Sequence, residues 1–382
     1  MDPVTSQPGR LGAPLRLGAV VVDPPVVLAP MAGVTTPSFR TLCRERGAGL
    51  YVSEMITARA LVEGNERTAR MLAPAPGEPV RSVQLYGTDP GVVGAATRIL
   101  VERLGVDHVD LNFGCPAPKV TRKGGGAALP AHPVLFGRIV EAAVSAAGAV
   151  PVTVKMRAGV DAATPTSLLA GSIAADAGAA AVTLHARTAE QHYSGRADWS
   201  LIAELKASLD RVPVLGNGDV WDAADAVAMT AATGCDGVVV GRGCLGRPWL
   251  FAELAAAHHR RPIPAPPPLG EVAATLLRHA RLLADQVGEP TAARDIRRHV
   301  GWYLTGYPVG GEARRVLCLV ESLDELASRL DDLDPALTPP PGPALHRGHA
   351  GGPRPVHLPA GWLDQRDDPR APVGADELVS GG

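Results

Sequence analysis

Beyond residue 25 the chain alternates two kinds of segment. Short apolar runs recur at residues 26–30, 50–54, 82–86, 108–112, 152–155, 181–185, 213–217 and 237–241, and between them lie Ala-rich stretches of helical length, such as 90–104, 134–147, 166–177, 199–209 and 223–230. Runs that are apolar almost throughout, rather than at every second residue, are strands covered on both faces, and strands that alternate with helices pair in parallel. Eight such units in about 220 residues fit a closed barrel better than an open doubly wound sheet. The expected fold class is therefore α/β, a (β/α)8 TIM barrel, followed by a small helical bundle and a disordered tail.

The organisation read from the pattern is a loose lead-in over 1–14, the barrel over 15–258, a Pro-rich linker over 259–270, a helical domain over 271–331 and a tail over 332–382. The linker holds Arg260-Arg261-Pro262-Ile263-Pro264-Ala265-Pro266-Pro267-Pro268, which cannot continue a helix. The tail has ten prolines and eight glycines in 51 residues and keeps no period, so disorder is expected and no function is assigned to it.

Composition narrows the classes. At 382 residues and 46% hydrophobic the chain can bury a large core, and a net charge of -2 excludes a uniformly basic nucleic-acid binder while leaving room for a local basic face. The five cysteines are odd in number, scattered and free of any C-x-x-C pair, which argues against a disulfide framework or a zinc site and fits a reducing cytosol. With no leader-like start and no apolar run of about 18 residues, a cytoplasmic protein without membrane insertion is expected.

Candidate chemistry gathers at the strand ends. Gln84, Asn112, Lys155, His185, Asn217 and Arg242 close six of the apolar runs, and active sites of such barrels are built at that rim. After residues 109–112 come Gly114, Cys115 and Pro116, then a loop with Lys119, Arg122 and Lys123 ahead of three glycines, Gly124 to Gly126. A thiol, an amide and a basic, flexible loop meet there, although Cys115 equally reads as a small buried plug. The Gly-bearing turns 215–220 and 240–243 stand where these barrels hold phosphate, with Arg242 able to grip its oxygens; simple tight turns are the other reading. Lys155 ends an apolar strand and must find an anion or water, either a reduced flavin or a rim carboxylate such as Glu54. His185 suits phosphate, substrate or a purely structural role.

The segments 29–35, 84–87, 110–116, 154–157, 184–188, 216–220 and 241–243 together resemble the tRNA-dihydrouridine synthases, and are most similar to the bacterial B-type subgroup, from about Leu17 to Leu326. The resemblance implies an FMN-dependent barrel with a helical tRNA-binding domain and NADPH or NADH as reductant. Carried over residue by residue, FMN contacts would fall on Pro30, Met31, Ala32, Gln84, Lys155, His185, Asn217, Gly218, Asp219, Gly241 and Arg242. Cys115 would give a proton to C5 of a uridine whose C6 takes the flavin hydride, Asn112 would hold that base, and Lys119 and Arg187 are further candidate substrate contacts. Arg294, Arg297 and Arg298, at i, i+3 and i+4, would extend a phosphate track for tRNA. No stable protein partner is expected. Two rivals stay open at this point, a flavin barrel acting on a small molecule and an RNA-binding module without catalysis.

Overall fold

The computed structural model describes residues 11–75, 77–342, 346, 351–372 and 374–375. Residues 1–10 of the expected lead-in lie outside the described residues, as do 343–345, 347–350, 373 and 376–382 of the expected tail. A short antiparallel hairpin, β1 (Leu15–Leu17) and β2 (Val20–Val22), comes first. Eight parallel strands then close a barrel: β3 (Val26–Leu28), β4 (Leu50–Thr57), β5 (Ser82–Tyr86), β6 (His108–Phe113), β7 (Val152–Arg157), β8 (Ala181–His185), β9 (Val214–Asn217) and β10 (Gly237–Val240), with β10 pairing back to β3. The (β/α)8 barrel expected from the alternation is the observed one.

Around it run α1 (Pro37–Glu45), α2 (Ala58–Val62), α3 (Glu66–Met71), α4 (Pro90–Arg98), the one-turn α5 (Pro118–Thr121), α6 (Pro133–Ala147), α7 (Ser167–Asp176), α8 (Ser200–Ser208), α9 (Ala223–Thr233) and α10 (Leu250–His258). Local chemistry sets their ends. The Asp222 side chain accepts the N–H of Asp225 and the Asp225 carboxylate returns the favour to Asp222, a reciprocal cap that starts α9, and Gly234 ends it in the left-handed region at φ 68°. Such a cap contributes about 1 kcal/mol.

Two apolar layers result. Residues such as Leu85, Phe113, Phe136 and Leu254 fill the space between strands and helices. The hairpin was not anticipated: Leu15, Leu17, Val20 and Val22 pack against Val27, Leu50, Val52, Leu215 and Val239, inside the barrel. It closes the end where the strands begin, since Gly49 touches Val22 and Pro24 just before β4, and Gly18 lies against Pro151 just before β7.

Residues 260–268 carry no regular element. After them come α11 (Leu269–Val287), α12 (Glu289–Tyr303), α13 (Gly311–Leu317) and α14 (Leu323–Asp331), all helical as the pattern implied, with their own core around Leu276, Ile296, Tyr303 and Leu326. α11 is tied to α1 by the ion pair of Arg278 with Glu45. Beyond α14 no helix or strand forms among the described residues, in keeping with the composition. What composition did not reveal is that Trp362 is only 6% exposed and packs on the barrel.

Candidate active site

Strand alternation decides what faces the barrel axis. Paired positions across β5 to β8 place Ser82 beside His108, Gln84 beside Asp110, Asp110 beside Thr153, Asn112 beside Lys155 and Arg157 beside His185. Successive side chains on a strand point to opposite faces, so 82, 84 and 86, or 108, 110 and 112, line one side. In most barrels that interior is apolar; here β5, β6 and β7 add a polar stack that rises to the rim beside the apolar plug of the hairpin.

The stack is continuous. Ser82 Oγ and His108 Nδ1 lie 2.7 Å apart, His108 Nε2 and Thr153 Oγ1 2.9 Å apart, and Thr153 donates to Asp110 Oδ1 at 2.6 Å. Gln84 Nε2 donates to Asp110 Oδ2 at 2.7 Å, which leaves Gln84 Oε1 to accept Asn112 Nδ2 at 2.9 Å. Asn112 Oδ1 then accepts the N–H groups of Gly114 and Cys115, at 3.0 and 2.9 Å. The carboxylate at the bottom thus fixes two amide orientations above it, and the second holds the turn that carries Cys115. Burial raises Asp110 to about 6, against the pull of Thr153, Gln84 and Lys155. Burial also pushes His108 down to about 4 and keeps it neutral at pH 7.

The stack opens into a cavity of about 540 Å³ at the C-terminal ends of the strands, within the range of about 300–1,000 Å³ usual for ligand sites. Cys115 and Asn112 stand on one wall, with Met31, Lys155 and Arg242 among the residues of the others. The Cys115 thiol is driven above its usual range by burial, an effect only partly offset by the Ala117 N–H, Arg157 and Lys119. It is therefore a protonated thiol at neutral pH. Tyr86 is pushed to about 12 by burial, with Cys115 adding to the shift.

Three cations, Lys155, Arg157 and Arg242, stand on the other walls. Lys155 Nζ donates to Asn217 Oδ1 at 3.0 Å, and Asn217 Nδ2 donates to Val239 O at 2.7 Å. Burial, and then Arg157, lower Lys155 to about 8, while Asp110 opposes them. The alternative pairing of Lys155 with Glu54 is not the one formed: Lys155 donates to Asn217, and Glu54 accepts the Gly33 N–H. Arg157 donates to Gly114 O at 2.9 Å, Thr188 O at 2.9 Å and His192 O at 2.8 Å, and so pins the Cys115 turn from a second side. Arg242 lies 4.3 Å from the Tyr193 ring centre and 5.2 Å from that of Trp221. His185 is forced well below its usual value by burial and by Arg157, Lys155, Arg187 and Arg242, and it is neutral.

The glycine turns have definite roles. Gly218 has φ +125°, and a Cβ there would stand 2.7 Å from Ala197 Cβ, a position only glycine fills without strain. Gly241 differs: its nearest neighbour to a Cβ would be Met31 Sδ at 3.7 Å. No clash explains glycine there. Its bareness leaves space in the cavity wall.

Among the expected contacts, Pro30, Met31, Ala32, Gln84, Asn112, Cys115, Lys155, His185, Asn217, Gly218, Asp219, Gly241 and Arg242 all line this one cavity. Asp219, in the left-handed region at φ 56°, accepts Arg187 Nη2 at 2.7 Å and the Ala197 N–H at 2.7 Å, and lies 3.6 Å from Arg242. Arg187 is 2% exposed and also donates to Ser194 O and Gly195 O, so it braces the loop after β8. Lys119 is exposed on α5, outside the cavity lining. Sequence reasoning gave no role to Asp110, Arg157, His192 or Tyr193, although the spacing of 110 with 112 and of 157 with 155 carries a period-two signal. Trp302, at the end of α12, reaches the cavity from the helical region.

A model of the Dihydrouridine synthase (Dus) family matches residues 27–337. A "Probable tRNA-dihydrouridine synthase" of Mycobacterium tuberculosis (strain ATCC 25618 / H37Rv) is 54% identical over 377 residues, covering 96% of this chain and 97% of that protein. A "tRNA-dihydrouridine synthase B" of Xanthomonas axonopodis pv. citri (strain 306) is 39% identical over 333 residues, covering 87% of this chain and 99% of that protein. Among solved structures, a 2-naphthoyl-CoA reductase complex superposes with a TM-score of 0.52 at 13% identity, over 66% of this chain and 52% of that one. This last likeness is one of fold alone.

Proposed function

The chain belongs to the dihydrouridine synthase family, and from that premise and the cavity we propose that it reduces uridines of tRNA to 5,6-dihydrouridine, with FMN held at the barrel mouth and NADPH or NADH as reductant. The observation that carries this reading is the Asp110–Gln84–Asn112–Cys115 chain, which aims a protonated thiol into a cavity ringed by cations.

The residues fit the cofactor. A flavin needs a flat slot, a cation near the ring edge that gains negative charge on reduction, and an anion cradle for its phosphate. Lys155 supplies the buried cation, held at Asn217. Gly241 leaves wall space that a side chain would fill, and Arg242 with the turn at Gly218 supplies the phosphate grip. Gln84 keeps one amide N–H and one Oε1 lone pair beyond the bonds of the stack for a pyrimidine-like edge, while Asn112 holds it in place. When bound and reduced, FMN would supply a hydride for C6 of the uracil.

The protein's own residues do the rest. Cys115 Sγ–H breaks as a C5–H bond forms, and the thiolate left behind takes a proton back from solvent before the next turnover. A thiol suits this step because it holds its proton at neutral pH and yet can release it; a serine hydroxyl is far less acidic. Asn112 fixes the turn through the Cys115 N–H, and Arg157 holds the same turn through Gly114 O. The target base must leave its stack to reach the cavity, at a cost of a few kcal/mol. Tyr193 and Trp302 at the mouth give it aromatic faces, and the exposed Arg294 and Arg298 on α12 give the RNA backbone cations. In this reading 271–331 is the tRNA-binding part and the cytoplasm the site of action.

The test is sequencing of tRNA from a strain lacking the gene, where specific dihydrouridines should be missing and return with the wild-type copy only. A purified protein that binds no flavin, or tRNA with an unchanged dihydrouridine content, would overturn the proposal.

A further inference from the structure

Residues 351–372 cross the outer side of the loop that follows Cys115. Trp362 Nε1 donates to Ala128 O at 3.0 Å, its ring stacks on His132 with centres 3.5 Å apart, and its carbonyl lies 2.5 Å from His132 Nε2. Arg366 Nε donates to Ala131 O at 3.0 Å. Gly124, with φ +74°, lies so close beneath that a Cβ would stand 2.7 Å from the Trp362 ring and 2.9 Å from Pro372.

The inner side of the same loop is Cys115 itself. Ala127 N–H donates to Cys115 O at 3.0 Å, and a Cβ on Gly126 would lie 3.2 Å from Cys115 Cβ. The segment between, the 3-10 turn Gly126–Ala131, is fully buried. Apart from Leu129, which is anchored in the core, and Pro130, it consists of small residues, and two more glycines precede it, so few of its own side chains hold one conformation. Against its outer face lies the ring of Trp362, which comes from beyond residue 337, where the family match ends.

We propose that Trp362 is a positioning residue for Cys115: the C-terminal strap clamps the glycine loop from outside, and the loop in turn holds the thiol at the cavity edge. The inference rests on the reading of Cys115 as the proton donor. Displacing a reacting group by about 1 Å costs up to about a hundredfold in rate, so a clamp at one remove has a measurable effect.

The test uses the full-length protein carrying Trp362→Ala or Trp362→Phe. Alkylation of Cys115 by iodoacetamide, read site by site by mass spectrometry, should quicken severalfold in Trp362→Ala, with Cys318 in the helical region as the unchanged control. The kcat for dihydrouridine formation should fall about tenfold while KM for tRNA stays within about twofold. Trp362→Phe keeps the stack on His132 and loses the N–H donor; it should fall between, and it carries the test if the alanine variant does not fold. A lowered melting temperature with unaltered Cys115 alkylation and kcat would overturn the clamp, leaving Trp362 a stabilising residue only. Cys115→Ala separates the two ideas: an active Cys115→Ala enzyme removes the proton-donor reading, whereas an inactive one beside an unresponsive alkylation rate removes the clamp alone.

Discussion

At the scale of single residues, the thiol's environment sets a pH signature. Because burial lifts Cys115 above the ordinary thiol range, kcat should stay flat through neutral pH and decline only above about 8.5; a descending limb centred below that value would rule out Cys115 as the acid. Cys115→Ser should lower kcat by at least about a hundredfold with FMN still bound, measured by dihydrouridine release and flavin absorbance on the same sample. Lys155 gives an independent check. With its pKa near 8 in the free protein, it loses its charge as pH rises through that value, and an anionic ligand must draw the proton back. FMN affinity should therefore weaken above pH 8, by up to about tenfold per unit, and equilibrium titration at several pH values measures it. Cys115 and Asn112 were legible in the sequence because they stand where an apolar run ends, and Gln84, inside the run 82–86, through the segment 84–87 on which the resemblance rests. Asp110 was not, since it sits inside a run and only the register with Gln84 and Thr153 shows that it faces the axis.

At the scale of elements, the eight strands and most helices were legible from apolar runs, because burial on both faces leaves little choice of residue. The hairpin β1–β2 escaped for the opposite reason: its strands have three residues each, too few to show a period. The arginine face of α12 was only half legible. Arg297 turns inward and donates to Val320 O at 2.7 Å, and Arg314 likewise donates to Leu304 O and Tyr307 O, so both serve the helical core. Arg294 and Arg298 stay exposed. Helical spacing cannot tell a solvated arginine from one that caps a neighbour's carbonyl. Replacing Arg294 and Arg298 by alanine should thus raise KM for tRNA severalfold with little change in kcat, and should flatten the salt dependence of binding by about one unit of slope per lost phosphate contact.

At the scale of the whole molecule, several buried histidines make the fold sensitive to acid. His108 and His299 are lowered to about 4 and about 3, and His185 and His279 fall well below their usual value, chiefly through burial. The unfolded chain binds these protons near pH 6.5 while the folded one refuses them, so stability is intact above that pH and drains away as pH falls toward 3. The melting temperature should drop steeply between pH 6.5 and 4; a flat profile would contradict the burial of these rings.

The plug formed by Leu15, Leu17, Val20 and Val22 has a kinetic consequence. A tube stoppered at its base admits visitors from the top only, so under the proposed function the nicotinamide donor and the nucleic acid would take turns at a shared doorway. Steady-state velocities measured against one at fixed low levels of the other should fall on parallel double-reciprocal lines, and at high RNA the slopes against the donor should rise, as for a competitive inhibitor.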